Sequence, residues 1–218
     1  MWIVSLLLIL TAYLLGSIPS AYLAGKWIKG IDLRQYGSGT ISGSMVWEHV
    51  TRWAILPVGL FDLVKAALPA WASLQLGLGE PTAVAAGLAA IIGHNWPVYL
   101  GFTGGRGLSP FLGLLLVIFP WGFPFILSFL ALGYLLGDSA PFALASLVFL
   151  PLFSHIIQGP PVITWAAVGM VLVTIAKRLE ANRRPLPHNK QDRRAVLLRR
   201  IFLDRDIQSH QDWIRRQP

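Results

Sequence analysis

Cysteine is absent from the 218 residues, and charged side chains make up only 13% of them, against about 25% in an average soluble domain. The missing cysteine excludes disulfides, thiolate metal sites and a cysteine nucleophile. Histidines and carboxylates never recur at the spacing of metal ligands, so we expect no metal site. The sequence also contains no GxxxxGK motif, which argues against a nucleotide-binding P-loop, and we expect no cofactor.

The chain contains three long stretches without a charged residue. Hydrophobic residues make up 55% of the chain, and residues 1–25, 107–137 and 139–176 contain no Lys, Arg, Asp or Glu. A helix that crosses a bilayer needs only about 20 apolar residues, and prolines divide each of the last two stretches into two helices. The pattern predicts an all-α integral membrane protein with about seven transmembrane helices, over residues 2–25, 52–77, 82–100, 107–119, 122–137, 140–156 and 161–178.

Basic residues predict how these helices are oriented. They follow the first helix, occur at Arg106, and concentrate from Lys177 onward, where 12 of the 18 Lys and Arg residues lie. Basic loops of membrane proteins stay in the cytoplasm. We therefore expect an outside amino terminus, with residues 26–50, the turn at 101–107 and the carboxyl terminus in the cytoplasm. The transmembrane domain then covers residues 1–180.

The remaining segment, residues 181–218, is a basic tail that is partly amphipathic. Leu197, Leu198, Ile201 and Phe202 share one face of a predicted helix, with arginines around them. Such a helix suits the surface of an anionic inner leaflet. No nucleic-acid recognition motif accompanies the arginines, so we do not expect nucleic-acid binding.

Two loops have a composition that suits phosphate. Residues 36–44, YGSGTISGS, form the hydroxyl loop, and residues 104–107, GGRG, form the glycine turn. Glycine lets backbone N–H groups approach an anion, while hydroxyls and a guanidinium add donors. Either loop alone is more typical of an ordinary connection between helices. Their expected position on one membrane face, beside the basic tail, favours a shared phosphate site.

Ionisable residues that fall within or next to predicted membrane helices include Asp62, Lys65 and His94, and Asp138 and His155 flank the sixth helix. A charge at the centre of such a helix costs at least about 2.5 kcal/mol, so it marks a candidate site. Asp62 and Lys65 are three residues apart and can pair on one helix face. A neutralised structural pair and a functional site both remain open for them.

Four segments together resemble a known family: AYLLGSIPSAYLAGK, GIDLRQYGSGT, LFDLVKAALPAW and GHNWPVYLGFTGGRG. They look like the acyl-phosphate:glycerol-3-phosphate acyltransferases of bacterial membranes, the PlsY type, and the similarity extends over residues 12–183. The resemblance implies a multi-pass enzyme of the bacterial cytoplasmic membrane with seven helices and an outside amino terminus. It also implies transfer of a fatty acyl group from acyl-phosphate to the sn-1 hydroxyl of glycerol 3-phosphate, which gives lysophosphatidate for phospholipid synthesis.

The resemblance also implies roles for individual residues. The catalytic positions are Ser38, His94 and Arg106. The substrate-binding positions are Gly37, Gly39, Thr40, Ser44, Gly104, Gly105, Gly107, Lys177, Asn182 and Arg183. No protein nucleophile is required, because acyl-phosphate is already activated and a substrate phosphate can accept the hydroxyl proton.

Several positions depart from the family pattern in charge. The family's arginine is Glu48 here, its lysine before the glycine turn is Thr103, and one of its asparagines is Glu180. A glutamate that faces phosphate replaces a charge-assisted hydrogen bond with repulsion. Arg52 lies one turn beyond Glu48 and is the candidate to neutralise it or to replace the missing arginine.

Three functions therefore stay open. The first is an active acyltransferase with a rearranged pocket, which the glycine turn and Arg106 favour. The second is a non-catalytic or retasked relative that binds an anionic lipid or phosphate ligand, as the altered charges suggest. The third is a small membrane transporter, although the chain lacks the repeated halves with broken helices that many transporters have.

Overall fold

The computed structural model describes residues 1–215, and every regular element among them is helical. The helices are α1 Trp2–Gly16, α2 Ser20–Lys29, α3 Gly43–His49, α4 Ile55–Gln75, α5 Gly79–Asn95, α6 Leu108–Ile118, α7 Gly122–Leu135, α8 Ser139–Ile156, α9 Val162–Glu180, α10 Lys190–Leu203 and α11 His210–Ile214. Short 3₁₀ turns occupy Leu33–Gln35, Val98–Leu100 and Ala181–Arg183. The predicted all-α class is confirmed.

Five segments within the described residues are long and apolar enough to cross a membrane: Trp2–Lys29, Ile55–Gln75, Gly79–Leu100, Ser139–Ile156 and Val162–Arg183. The apolar helices α6 and α7 occupy the positions predicted for two further spans but contain only 11 and 14 residues. A perpendicular crossing needs about 20 residues. The number of seven crossings and the orientation of the termini therefore stay predictions.

The bundle packs through small residues. A side chain added at Gly16 of α1 would lie 2.0 Å from the Ala90 carbonyl oxygen of α5, and one at Gly113 of α6 would lie 1.9 Å from the Leu63 carbonyl oxygen of α4. Membrane helices associate by such close backbone approach, because lipid is as apolar as their side chains. Large apolar side chains such as Leu172 point outward and are exposed, as a lipid-facing surface requires.

The first predicted helix, residues 2–25, is not continuous. It ends at Gly16, and α2 begins at Ser20 after Pro19. Proline has no N–H to continue the helical ladder, and its ring displaces the preceding turn. The break leaves the Ile18 carbonyl free of a helical partner, and the Lys65 ammonium donates a hydrogen bond to it.

The loop predicted at residues 26–50 contains a helix that was not predicted from the sequence. α3, Gly43–His49, covers a small second core built from residues of α2, α3 and the loop between them, which includes Leu33, Ile41, Met45 and Val46. Those four side chains are nearly inaccessible to solvent. The hydroxyl loop therefore packs on a hydrophobic core that is separate from the core of the helical bundle.

The tail folds back onto the bundle. α10 packs against α8 and α9, and it buries Val196 and Arg200. The Arg200 guanidinium donates to the carbonyl oxygens of Leu179 and Arg184. Leu198 and Phe202, of the predicted amphipathic face, remain exposed. The tail forms a helix over Lys190–Leu203, and its contact with an anionic leaflet stays a prediction.

Candidate active site

A cavity of about 590 Å³ lies where the hydroxyl loop, the glycine turn and the tail meet. The first residues of α6, the end of α7 and one face of α4 complete its walls. The two loops contact each other directly, since the Ile41 N–H donates to the Gly104 carbonyl oxygen at 3.3 Å. The two loops are thus neighbours in the fold, whereas their position at one membrane face stays a prediction.

The hydroxyl loop is anchored before it reaches the cavity. Asp32 accepts a hydrogen bond from the Arg34 backbone N–H at 3.0 Å and pairs with the Arg34 guanidinium at 2.7 Å. Hydrogen bonding from Arg34 outweighs the cost of partial burial and lowers the pKa of Asp32 below its ordinary value. The carboxylate therefore stays ionised at neutral pH and fixes the 3₁₀ turn that leads into the loop.

Four hydroxyls form a row along the cavity. The Oγ atoms of Ser38 and Thr40 are 2.6 Å apart, those of Thr40 and Ser42 are 3.3 Å apart, and those of Ser42 and Ser44 are 2.9 Å apart. All four residues line the cavity. Ser42 was not among the predicted site residues, although its hydroxyl lies between those of Thr40 and Ser44, which were.

The absence of side chains in the glycine turn leaves space for His94, in addition to exposing backbone N–H groups. A Cβ at Gly105 would lie 2.1 Å from His94 Nε2, and one at Gly104 would lie 2.3 Å from the His94 carbonyl oxygen. The Gly105 N–H donates to that same carbonyl at 3.1 Å. His94 itself lines the cavity. These glycines shape the site by close packing against this residue.

Gly107 ends the turn and caps α6. Its φ of +75° lies in the left-handed region, which glycine adopts without steric cost. Gly107, Leu108 and Ser109 line the cavity, so the amino terminus of an 11-residue helix opens onto it. Unpaired N–H groups and the helix dipole favour an anion at such an end.

Arg106 lies in the cavity wall, as predicted, but it is already paired. Its Nε lies 2.7 and 2.9 Å from the two carboxylate oxygens of Asp204 in the tail. Its Nη1 is buried and has no hydrogen-bond partner among the described residues. No local sequence pattern indicates this pair, because 98 residues separate its members.

A buried polar cluster supports the wall on the side of α4. Asp62 accepts hydrogen bonds from Ser20 Oγ at 2.6 Å and from Lys65 Nζ at 2.7 Å, and His94 Nδ1 lies 3.6 Å from the same carboxylate. Asp62 and Lys65 are 2% and 1% exposed. The expected pairing of Asp62 with Lys65 is present, and Ser20 is a member that the sequence reading missed.

The predicted substrate-binding residues at the end of α9 and just after it, Lys177, Asn182 and Arg183, lie behind the cavity and not in its wall. Asn182 donates from Nδ2 to the carbonyl oxygens of Gly39 and Gly104, at 2.8 and 3.3 Å, and so joins the two loops. Lys177 is fully buried, pairs with Glu180 at 2.9 Å and lies 5.0 Å from the Trp96 ring centre. Arg183 is exposed.

Within the part of the chain that is described, none of Lys177, Asn182 and Arg183 lines the cavity. The same holds there for four of the predicted glycines, which shape the loops from behind: Gly37, Gly39, Gly104 and Gly105. The resemblance assigns these residues to substrate binding. In the structure, Asn182 and the glycines instead hold the two loops in place through close contacts with backbone atoms.

Arg52 is not brought to the site. Its guanidinium lies 5.3 Å from the centre of the Trp47 ring, and the ion-pair partner of Glu48 is Arg215, at 3.7 Å. Both Arg52 and Glu48 are exposed and, over residues 1–215, are absent from the cavity lining. The structure therefore gives Glu48 a different counterion from the expected one.

Residues 6–186 match the family model described as glycerol-3-phosphate acyltransferase. The chain belongs to this family. Glycerol-3-phosphate acyltransferase 5 of Dehalococcoides mccartyi strain 195 is 35% identical over 227 residues, which cover 99% of this chain and 95% of the relative. The glycerol-3-phosphate acyltransferase of Synechococcus sp. strain CC9902 is 50% identical over 114 residues, which cover 50% of this chain and 57% of the relative.

Two solved structures of a family member share the fold. The crystal structure of PlsY (YgiH), an integral membrane glycerol 3-phosphate acyltransferase, matches in its glycerol 3-phosphate form with a TM-score of 0.73 and 27% identity. The lysophosphatidic acid form matches with a TM-score of 0.72 and 26% identity. Each match covers 83% of this chain and 90% of the other. The resemblance read from the four segments and the multi-pass membrane class are confirmed.

Proposed function

We propose that this protein transfers a fatty acyl group from acyl-phosphate to the sn-1 hydroxyl of glycerol 3-phosphate, producing lysophosphatidate for phospholipid synthesis. One observation carries the proposal: the hydroxyl row, Arg106, His94 and the amino terminus of α6 all border the same cavity. Each of these groups suits an anion, and both substrates carry phosphate. The names of the family relatives support the same reaction.

In the proposed reaction the sn-1 oxygen forms a bond to the acyl carbonyl carbon. The bond from that carbon to the phosphate oxygen breaks, and its electron pair leaves with phosphate. The hydroxyl proton moves to a phosphate oxygen, so the leaving group departs as hydrogen phosphate. The protein's part is to hold two anions close together and to stabilise the oxyanion of the tetrahedral intermediate.

The residues divide this work by their chemistry. Arg106 and the α6 amino terminus supply positive potential for a phosphate. Ser38 and Thr40 supply hydroxyl donors on the opposite loop. His94, held beside the Asp62 carboxylate, adds an imidazole within the same cavity.

The apolar part of the cavity suits the acyl chain. Ile55 of α4, Leu108 of α6 and Ala140 of α8 line it together with Tyr134 at the end of α7. Tyr134 is 80% exposed on the outer surface of the bundle. The acyl chain then enters from lipid beside Tyr134, and the donor's carbonyl lies between this apolar region and the hydroxyl row.

We also propose that the cavity lies at the cytoplasmic face of a bacterial inner membrane. The cavity is lined by residues of the 26–50 loop, by Arg106 and by the tail, and the positive-inside rule assigns these regions to the cytoplasm. Exposed Leu198 and Phe202 of α10 then face the anionic leaflet beside them.

A phosphate-binding relative without catalysis is the second candidate. The ion pair between Asp204 and Arg106 and the pair between Glu180 and Lys177 favour it, since both neutralise cations near the glycine turn. A direct assay separates the two functions.

The assay supplies acyl-phosphate and glycerol 3-phosphate to the protein in lipid nanodiscs and follows lysophosphatidate and released phosphate. Loss of a charge-assisted hydrogen bond at Arg106→Ala should lower turnover by roughly 10- to 100-fold, and Ser38→Ala should also lower it. Arg193→Ala removes the same charge from an exposed tail position and should leave turnover unchanged. Absence of lysophosphatidate with every acyl donor, including acyl-coenzyme A, would reject acyl transfer.

A further inference from the structure

The tail builds one wall of the cavity. Its contribution comprises Leu203, Asp204, His210, Trp213 and Ile214. These residues lie beyond the segment that matches the family model, which ends at residue 186. The relative from D. mccartyi strain 195 nevertheless aligns over 99% of this chain. This wall thus lies outside the segment that matches the family model, although the relative's alignment includes it.

The wall is held in place by arginine side chains. Arg205 pairs with Asp138 at 2.6 Å, and Arg178 donates to the Ile201 carbonyl oxygen at 2.6 Å. The Ile214 carbonyl oxygen and His49 Nε2 are 2.9 Å apart. These contacts fix both ends of the segment that carries Asp204, so the position of its carboxylate is set by the fold.

Asp204 occupies only one edge of the Arg106 guanidinium. Both carboxylate oxygens bond to Nε, while the buried Nη1 is unpartnered within residues 1–215. The two side chains are only 16% and 22% exposed, so water screens their attraction weakly. A guanidinium that binds phosphate commonly uses two N–H groups. The pair therefore leaves the buried Nη1 donor of Arg106 without a hydrogen bond.

The other carboxylate in the cavity wall, Asp62, is already committed to Lys65 and Ser20. Asp204 is thus the negative group that an incoming anion meets at Arg106. A carboxylate carries one charge, whereas a phosphate monoester carries about 1.5 to 2 at neutral pH and has three acceptor oxygens. A phosphate therefore displaces Asp204 from Arg106 at a lower concentration than a carboxylate ligand does.

We propose that Asp204 is an internal competitor for phosphate at Arg106. The proposal rests on the proposed function in taking phosphate as the ligand of Arg106. In the free protein Asp204 neutralises the guanidinium and keeps weak anions out. A phosphate monoester separates the pair, and Asp204 lowers the affinity of the site for every anion by the same factor.

Binding without an acyl donor tests this proposal independently of turnover. The probes are radiolabelled glycerol 3-phosphate and its carboxylate analogue glycerate, with dissociation constants measured on the full chain in nanodiscs. Asp204→Asn is the informative variant, because asparagine tolerates the φ of +55° at this position. Asp192→Asn removes the same charge from an exposed tail position and serves as the matched control.

We expect Asp204→Asn to tighten glycerol 3-phosphate and glycerate binding by the same factor, about tenfold, because a charged competitor for Arg106 has been removed. Asp192→Asn should change neither. The gain should vanish in the double variant Arg106→Ala, Asp204→Asn. Under turnover, Asp204→Asn should lower KM for glycerol 3-phosphate and leave kcat within about twofold. Thermal unfolding without ligand checks that both variants fold.

Unchanged binding in a folded Asp204→Asn protein overturns the proposal, and so does absence of glycerol 3-phosphate binding in every variant. Weaker binding, as in Arg106→Ala, also overturns it, because Asp204 would then hold Arg106 in a productive position. Failure of acyl transfer has a different signature. Tighter binding in Asp204→Asn without lysophosphatidate from any donor would reject the proposed acyl transfer. It would still support Asp204 as a competitor for phosphate at Arg106.

Discussion

The cavity has two kinds of wall. One is made by the hydroxyl loop and the glycine turn, which lie within the family match and are joined by backbone hydrogen bonds and close glycine packing. The other is the tail, which arginine side chains attach to carboxylates and carbonyl oxygens. The first wall tolerates almost no added volume, while the second depends on charge. Substitutions of these two kinds should therefore have separable effects.

Gly105→Ala should have the largest effect. Its Cβ would lie 2.1 Å from His94 Nε2 and 2.8 Å from the Ile41 carbonyl oxygen, so His94 or the hydroxyl loop must shift. Forcing such volume into a packed interior costs about 1–3 kcal/mol or more, and we expect turnover to fall at least 100-fold. Lysophosphatidate formation and thermal unfolding measure the two effects.

Gly59→Ala is the control for stability at a glycine. No heavy atom lies within 4 Å of a Cβ at this α4 position, and alanine favours a helix by about 0.5–1 kcal/mol over glycine. Unfolding temperature should stay level or rise. If Gly105→Ala behaved in the same way, close packing would not explain the glycine turn.

Arg205→Ala should have an intermediate effect, on the other wall. It removes the 2.6 Å ion pair with Asp138 and the hydrogen bonds to the Gln208 carbonyl oxygen. Breaking a largely buried ion pair is strongly destabilising because the partner charge stays unpaired. We expect faster proteolysis of the tail and a several-fold loss of turnover, with the bundle still folded by circular dichroism. A tail as resistant as in the unsubstituted protein would contradict this attachment.

Glu48→Arg should have the smallest effect. Glu48 is exposed, and its partner Arg215 is 3.7 Å away and 71% exposed. Exposed pairs contribute about 0–1 kcal/mol, and the cavity lining within residues 1–215 does not include this residue. We expect kcat/KM to change by less than about threefold or to rise. A clear loss of turnover would show that Glu48 has a role of its own at this site.

Much of the first wall could be read from the sequence. Glycine, hydroxyl and arginine residues in two short loops indicated an anion site, and the charge pattern placed both loops on one face. The break at Pro19 also had a local signal, because proline ends a helix. Ser42 had one in its spacing from Thr40 and Ser44.

The second wall had no such signal. Asp204 and Arg106 are 98 residues apart, and Ile214 and His49 are 165 residues apart. Nothing local distinguishes Asp204 from Asp206, which pairs instead with Arg200. Only the packing of α10 on α8 and α9 decides which carboxylate reaches the cavity, so tertiary contact carries the information that the sequence pattern lacks.

The hydroxyl row has one more property, which is direction. Each of its members can donate one hydrogen bond and accept others, so the three bonds from Ser38 to Ser44 can all point one way or all point the other. An anion that accepts a hydrogen bond from one end fixes the sense of the whole chain, because each donor orients the next. A charge at Ser38 is thereby felt at Ser44, and the loop acts as a single polarisable group.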